Sequence, residues 1–289
     1  MLIKAIKKTK FDRALLSNKN PFIRKSYSYL GQIFKHTSKK LINSEGNAIL
    51  CNSFPKSGTH LLLQVLESLP QFYNYGTFLT NYSHLSNSVY SSNLIQRRVD
   101  NIVQNEIVSA HLYYDKLSSN FTNKIKKFFI YRDLRDVILS ECYYISFTNK
   151  YHVLHSVFNR YNNINDKIKL AILGLDQTKY EKIYPNIRKR WMKYKGWLTD
   201  ETTTCVKFED IISFNLKALQ KLCFDIETLR NQDNYAFTLD ELRKSIDPNQ
   251  SHTFRRGKIG QWKEIFSDEN RSLVNELIGD IIVDLGYDN

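Results

Sequence analysis

The stretch NAILCNSFPKSGTHLLLQVLESL, residues 47–69, contains a strand, a tight loop and a helix in immediate succession. Its first seven residues are mostly apolar, which is typical of a short buried strand. Pro55 and Gly58 then mark a turn, and residues 60–69 place leucine and valine at helical spacing. We therefore predict a strand over 47–53, a loop that carries Lys56, and a helix over 60–69.

This loop has the composition of a phosphate cradle. Backbone N–H groups at a helix start point at an anion, glycine allows close approach, and a lysine adds a movable charge. The loop differs from the nucleoside-triphosphate motif G-x-x-x-x-G-K-[ST], because the first glycine is absent and the lysine precedes the remaining one. An ATPase or GTPase is therefore disfavoured, and a plain Pro/Gly turn is the alternative for the loop taken alone. The predicted anion donors are Lys56 and the backbone of Ser57, Gly58, Thr59 and His60.

Strands and helices alternate along the rest of the chain. Short apolar runs at 106–110, 126–131 and 203–208 predict three further strands. Helical spacing occurs at 134–142, 153–197, 216–224, 239–246 and 269–285, whereas 70–92 is predicted as a long loop region. This alternation favours an α/β fold, a P-loop-like parallel sheet flanked by helices on both faces, as a single domain over 47–289. Ligands of such sheets bind at the carboxyl ends of the strands.

Two further motifs follow the loop in chain order. The strand at 126–131 leads into YRDLRDVILS, residues 131–140, and FRRGKIGQWK occupies residues 254–263. The three segments match, in order and approximate spacing, the patterns P-K-S-G-T, R-[ND]-x-[RK]-D-x-x-x-S and R-[KR]-G-x-x-G-x-W. On these motifs the chain resembles the sulfotransferases that use 3′-phosphoadenosine 5′-phosphosulfate (PAPS), and it looks most like their cytosolic branch.

The resemblance implies a PAPS site with two anion pockets and no metal. The 5′-phosphosulfate suits the loop at Lys56. Arg132 and Ser140 suit the separate 3′-phosphate, because a guanidinium donates a forked charge-assisted pair and a hydroxyl adds another bond. The family pattern adds contacts from Arg255, Arg256 and Gly257. Taken without the resemblance, residues 132–136 are more typical of a solvated, salt-bridged helix start.

His111 stands at the family's position for the general base that removes the acceptor hydroxyl proton. Imidazole accepts protons at neutral pH, and general-base catalysis contributes about 10² to 10⁴ in rate. The resemblance gives Lys56 the complementary role of stabilising the departing phosphate oxygen. A lone histidine at a strand end is otherwise more often structural, and a helix N-terminus at His60 disfavours its protonated form.

The chain departs from the cytosolic pattern at two positions. Leu61 occupies the place where the family often has a tryptophan that stacks on adenine, and Ser109 replaces a lysine two residues before the catalytic histidine. Adenine therefore needs another partner, and Lys56 is left as the main cation at the bridging oxygen. His152 and His155 lack a third patterned ligand and are interpreted as structural.

The positive charge is concentrated at the N-terminus. Residues 1–46 hold eleven basic and two acidic residues, which gives +9 of the net +13. We interpret this basic N-terminal extension, with its weak apolar stripe over residues 2–16, as a helix packed on the domain or as a contact to an anionic membrane surface. The remaining chain is not basic enough for a general nucleic-acid surface, so no nucleic-acid partner is expected.

Cysteine usage and hydropathy favour a cytoplasmic protein. The four cysteines form no C-x-x-C pair and have no histidine at zinc-finger spacing, which is typical of reduced core residues. No apolar run approaches the ~18 residues of a membrane span, and the N-terminus has no continuous apolar export segment. Peripheral membrane association through residues 1–46 is the alternative.

The sequence leaves the acceptor and two other classes of function open. A small-molecule P-loop kinase would need a lysine at the end of the loop and acidic magnesium ligands, which form no pattern here. A nucleotide- or nucleic-acid-binding module without catalysis would use the basic N-terminus. The loops at 70–92, 113–119 and 144–154 are rich in Tyr, Asn and Ser. Such side chains stack on and hydrogen-bond to sugars as well as phenols, so a carbohydrate or glycolipid hydroxyl is the preferred acceptor.

Overall fold

The computed structural model describes residues 21–38, 48–83, 85–115, 125–175, 179–229, 237–247 and 257–288. Its strands pair in parallel in one five-stranded sheet, in the order β2-β3-β1-β4-β5. The strands are β1 Ala48–Ser53, β2 Phe78–Thr80, β3 Ile107–His111, β4 Ile125–Tyr131 and β5 Thr203–Lys207.

Helices connect the strands and cover both faces of the sheet. Before and between the strands lie α1 Pro21–Ser38, α2 Thr59–Glu67, α3 Ser92–Asp100, α4 Leu134–Tyr143, α5 His155–Phe158, α6 Ile164–Leu173 and α7 Ile187–Met192. After β5 come α8 Phe208–Ile212, α9 Leu216–Glu227, α10 Leu239–Ser245, α11 Trp262–Ile265 and α12 Asp268–Asp284. A π-helix, Tyr144–Thr148, continues α4, and a 3-10 helix, Lys195–Leu198, precedes β5.

Successive residues of the central strands enter opposite cores. Ile49 packs with α2, α9 and α10, whereas Leu50 packs with α4, α6, α7 and α12. On β4, Phe128 packs in the same core as Ile49, and Phe129 packs in the same core as Leu50. Because successive side chains of a strand point to opposite faces, a strand covered on both faces is apolar throughout and not alternating. The predicted parallel sheet with helices on both faces is confirmed.

The predicted strands agree with β1, β3, β4 and β5 to within one or two residues at each end. The expectation of one long loop over 70–92 is wrong at β2, which pairs with β3 through Phe78↔Ser109 and Thr80↔His111. Three residues are too few to produce a periodic pattern. Residues 1–20, which include the apolar stripe predicted at 2–16, lie outside the described residues.

Helix α1 is attached to the sheet edge by a buried ion pair. The Lys35 ammonium lies 2.8 Å from Oε2 of Glu106, and the two side chains are 3% and 0% exposed. Glu106 also accepts hydrogen bonds from the Val103 N–H (2.9 Å) and the Thr77 hydroxyl (2.5 Å). Residues 21–38 are thus packed on the domain. No described helix combines the length and apolar character needed to cross a membrane.

We expect Lys35→Ala to lower the free energy of unfolding by about 3 to 5 kcal/mol, because it leaves the Glu106 carboxylate buried without its cation. Chemical denaturation measures the change. Lys150→Ala, at an exposed position, is the matched control and should change stability by less than about 0.5 kcal/mol. Equal stability of the two variants would contradict the assigned pair.

Candidate active site

The loop after β1 turns sharply before α2. The Ser57 N–H donates to the Phe54 carbonyl oxygen (3.1 Å), and Lys56 and Gly58 have φ of 71° and 107°. Gly58 is the N-cap of α2, and a Cβ at this position would lie 2.6 Å from Cδ2 of Phe208. Glycine alone satisfies both the backbone conformation and the available space. The loop is consequently held against the Phe208 ring.

The start of α2 provides donors of the kind that an anion requires. Thr59 and His60 are its first two residues, and N–H groups in the first turn of a helix have no intrahelical acceptor. Ser57 is fully buried, and its Oγ has no hydrogen-bond partner in the described part of the chain. A buried polar group left unpaired costs about 1 to 3 kcal/mol, so this hydroxyl fits a site that a ligand completes.

Lys56 reaches from the loop to the end of α4. Its Nζ lies 3.8 Å from the centroid of the Tyr144 ring, at the start of the π-helix. Ser140 lies one turn earlier, and its carbonyl oxygen accepts from the Tyr144 N–H. The structure thus places Ser140 on the helix whose end Lys56 contacts. Short π-helical segments occur frequently at functional sites.

Arg132 lies where β4 ends and shares the Phe208 ring with the loop. Its guanidinium carbon is 4.2 Å from the ring centroid. One Nη donates to Oδ2 of Asp136 (3.2 Å) and to the Lys258 carbonyl oxygen (2.9 Å). Within the described residues its Nε has no partner, although the side chain is buried. The two predicted anion-binding elements therefore converge on one aromatic side chain.

The second and third sequence motifs are joined by hydrogen bonds. Asp136 accepts from the N–H groups of Gly260 (2.8 Å) and Trp262 (3.2 Å). The Arg135 guanidinium lies 4.0 Å from the centroid of the Trp262 ring. Gly257, at the start of this segment, has φ of 60°. Arg255 and Arg256 lie outside the described residues, and their predicted contacts stay predictions.

His111 ends β3 beside the start of α2. Its Nδ1 lies 3.1 Å from both the carbonyl oxygen and the hydroxyl of Ser53, and that hydroxyl is 2.6 Å from Oγ1 of Thr59. A carbonyl oxygen only accepts, so the bond places the proton on Nδ1 and leaves Nε2 as the basic nitrogen. Phe78 contacts the imidazole edge-on, with ring centroids 5.3 Å apart.

His152 lies close to the loop cation and is held neutral. Burial, the positive charge of Lys56 and the neighbouring His155 lower the pKa of His152 to about 4. Its Nδ1 accepts from the Leu154 N–H (3.1 Å), and its ring meets Tyr144 edge-on at 6.2 Å. The sequence interpretation of His152 as purely structural did not anticipate this proximity to Lys56.

Comparison with protein families decides the class of the protein. A family model described as "Sulfotransferase domain" matches residues 47–285. The chain belongs to this family. The predicted family membership and enzyme class are confirmed, which removes the alternatives of a P-loop kinase and a non-catalytic binding module.

Known sulfotransferases and related structures extend this finding. Flavonol 3-sulfotransferase of Flaveria bidentis is 25% identical over 264 residues, with 83% of each chain covered. Mouse sulfotransferase SULT7A1, crystallised with PAP, has a TM-score of 0.59 and 17% identity, covering 86% of this chain and 90% of its own. Retinol dehydratase in complex with retinol and PAP has a TM-score of 0.53 and 15% identity, with 87% and 86% covered. These structures share the fold of this sulfotransferase.

Sequence reasoning missed three side chains that organise the site. Ser53 is the last residue of β1, Tyr144 follows the second motif by four residues, and Phe208 begins α8 directly after β5. Ser53 and Phe208 are the last residues of the predicted strands 47–53 and 203–208, so position at the carboxyl end of a strand was an available signal for both. No pattern indicated that Tyr144 would contact Lys56.

We expect Gly58→Ala to destabilise the sulfotransferase by about 2 to 4 kcal/mol. The left-handed backbone costs alanine about 1 to 2 kcal/mol, and the new methyl group must displace the Phe208 ring. Gly286→Ala is the matched control, because φ is also left-handed there, at 74°, but the nearest atom to the new Cβ would be Nζ of Lys207, 3.8 Å away. Chemical denaturation of both variants measures the difference. Equal losses would show that Phe208 does not confine the loop.

Proposed function

We propose that this sulfotransferase transfers the sulfuryl group of PAPS to an acceptor hydroxyl, with Lys56 and His111 as its catalytic residues. One observation carries the proposal: the loop glycine and Arg132 meet on the Phe208 ring, and two buried polar atoms, Ser57 Oγ next to that glycine and Arg132 Nε, have no hydrogen-bond partner among the described residues. Two separate unsatisfied donors fit a ligand with two anionic ends.

The residues present fit PAPS. The loop and the first turn of α2 suit the 5′-phosphosulfate, since they supply backbone donors, the buried Ser57 hydroxyl and the Lys56 ammonium. Arg132 and Ser140 suit the 3′-phosphate, with Gly257 and its neighbours Arg255 and Arg256 as the proposed cover. The same nucleotide product, adenosine 3′,5′-bisphosphate, is the PAP of the related crystal structures.

In the proposed reaction, His111 acts on the acceptor hydroxyl and Lys56 acts on the departing phosphate oxygen. The acceptor oxygen attacks sulfur in line and gives its proton to Nε2 of His111, while the bond from sulfur to the bridging phosphate oxygen breaks. Lys56 and the loop amides stabilise the negative charge that develops on that oxygen. Ser53 holds the imidazole through Nδ1, so the acceptor-facing nitrogen is the unprotonated one.

Aromatic side chains next to His111 support an acceptor that stacks. Phe78 is 39% exposed and touches the imidazole. Tyr82 and Tyr113 stack with centroids 6.4 Å apart, and Tyr113 meets Tyr194 edge-on. Rings with polar groups contact sugar faces and phenols alike, and we propose a carbohydrate or glycolipid hydroxyl as the acceptor class. Assays with labelled PAPS against panels of glycans, glycolipids, phenols and steroid alcohols test this choice.

Adenosine 3′,5′-bisphosphate should bind at least about tenfold more tightly than adenosine 5′-monophosphate, since a charge-assisted hydrogen bond contributes about 1.5 to 3 kcal/mol. Calorimetry measures both affinities. Ser140→Ala should weaken the bisphosphate several-fold and leave the monophosphate unchanged, whereas Ser156→Ala, an exposed control on α5, should change neither. Equal affinity of the two nucleotides would refute the second anion pocket.

Substitutions at the two proposed catalytic residues should have different effects on kcat and on nucleotide affinity. We expect His111→Ala to keep bisphosphate affinity while kcat falls by about 10² or more. Lys56→Ala should lower both kcat and nucleotide affinity, because the lysine contacts charge in the ground and transition states alike. Steady-state kinetics and calorimetry separate these effects.

The pH dependence of activity distinguishes His111 from His152 as the general base. With a pKa of about 4, His152 is already neutral throughout pH 5 to 8, so its loss cannot remove an acidic limb in that range. His152→Gln should therefore keep the acidic limb of the kcat/KM profile, and the residual activity of His111→Ala should lack it. If His111→Ala retained the acidic limb, the general base would be another residue, and His60 would be the first one to test.

A further inference from the structure

Helix α1 contacts the domain through a polar face. The Ser28 hydroxyl donates to the Gly76 carbonyl oxygen (2.8 Å), and the Gln32 amide donates to the Thr77 hydroxyl (2.8 Å) and the Tyr75 carbonyl oxygen (3.2 Å). Lys35 completes this face through its ion pair with Glu106. Positions 28, 32 and 35 share one side of a helix by their spacing.

Glycine allows this close approach. A Cβ at Gly31 would overlap the Tyr75 carbonyl oxygen, so the helix backbone lies directly on the 75–77 segment. Among the described side chains of α1, polar bonds and backbone contact therefore fix the side that faces the domain.

The opposite side of α1 presents large apolar side chains to the surface. Ile23, Tyr29, Leu30 and Ile33 are 39%, 68%, 50% and 47% exposed. We call these four residues the outer stripe. A helix packed on a globular domain ordinarily turns its apolar side inward, whereas the described side chains of α1 have the reverse arrangement.

The charge of the surrounding sequence indicates which surface the outer stripe contacts. Residues 1–46 contain eleven basic and only two acidic residues, whereas the net charge of the rest of the chain is much closer to zero. Large apolar side chains next to a lysine-rich segment suit the boundary between anionic headgroups and acyl chains. A nucleic-acid backbone would use the charge but not the stripe.

We propose that α1 docks the sulfotransferase on an anionic lipid surface through the outer stripe, with residues 1–46 supplying the electrostatic attraction. The docking is peripheral, because the stripe inserts only side chains. The inference is independent of the proposed acceptor and catalytic residues, since binding needs neither nucleotide nor turnover.

Sedimentation of the full chain with vesicles tests the proposal. The protein should bind phosphatidylcholine vesicles that contain phosphatidylserine, bind phosphatidylcholine alone weakly, and lose binding as salt screens the charge. The double variant Leu30→Gln, Ile33→Gln should lower the partition coefficient at least about tenfold, because it removes apolar surface and leaves the charge unchanged. Both positions are exposed, so the fold is retained, which circular dichroism verifies.

A matched control removes equally large exposed side chains elsewhere. Leu216→Gln with Phe224→Gln alters α9 at positions 56% and 65% exposed, and this variant should bind vesicles like the parent protein. Equal binding by the outer-stripe variant, or equal binding to neutral and anionic vesicles, would overturn the proposal. Analytical ultracentrifugation tests whether the outer stripe instead binds a second copy of the chain. If the parent protein is a dimer that does not bind vesicles, and the outer-stripe variant is a monomer, the stripe is a dimer interface and the proposal is overturned.

Discussion

The contact between Gly58 and the Phe208 ring is the constraint on which the site depends. It joins the end of β1 to the residue that follows β5, two strands that are separated by β4 in the sheet. Arg132, at the end of β4, lies on the same ring. The separation of the two proposed anion-binding elements is therefore constrained by one side chain, and a nucleotide that bridged them would find both ends already positioned.

A second, polar constraint positions His111, the proposed base. Asn52 is fully buried on β1 and pairs with the backbone of Leu112 twice, accepting from its N–H (2.9 Å) and donating to its carbonyl oxygen (3.1 Å). Trp197 Nε1 donates to the same carbonyl oxygen (2.8 Å). These bonds satisfy the backbone just where β3 leaves the sheet. They keep His111 beside Ser53, although the two residues are far apart in sequence.

Sequence patterns predicted the parts of the fold that repeat a simple rule. Short apolar runs and helical spacing located four strands and the main helices, and the three motifs located the loop, Arg132 and the segment around Gly260. The ion pairs that residues 132–136 suggest also exist, and Nη2 of Arg135 lies 2.9 Å from Oδ2 of Asp133. Both side chains are buried, however, and not solvated as the sequence suggested. Burial in this case depends on Trp262, which is distant in sequence and comes into contact only in the folded protein.

The reversed helix α1 could not be predicted, because its orientation depends on tertiary partners. An apolar stripe ordinarily predicts the buried face of a helix, and a lysine ordinarily predicts the exposed face. Lys35 is buried only because Glu106 is present, and the Thr77 hydroxyl and Val103 N–H satisfy the remaining acceptor sites of that carboxylate. One buried pair thus determines which side of α1 faces the sheet and, as a consequence, which side chains it leaves at the surface.

The neutrality of His152 follows from its burial and from its proximity to Lys56. Lys56 adopts a left-handed conformation in which its ammonium lies over Tyr144, and His152 is packed beside that ring. Burial disfavours a protonated imidazole there, and repulsion from Lys56 adds to this cost, so the pKa of His152 falls to about 4. His111 is oriented by a carbonyl oxygen instead of a cation, an environment that suits the general-base role proposed for it.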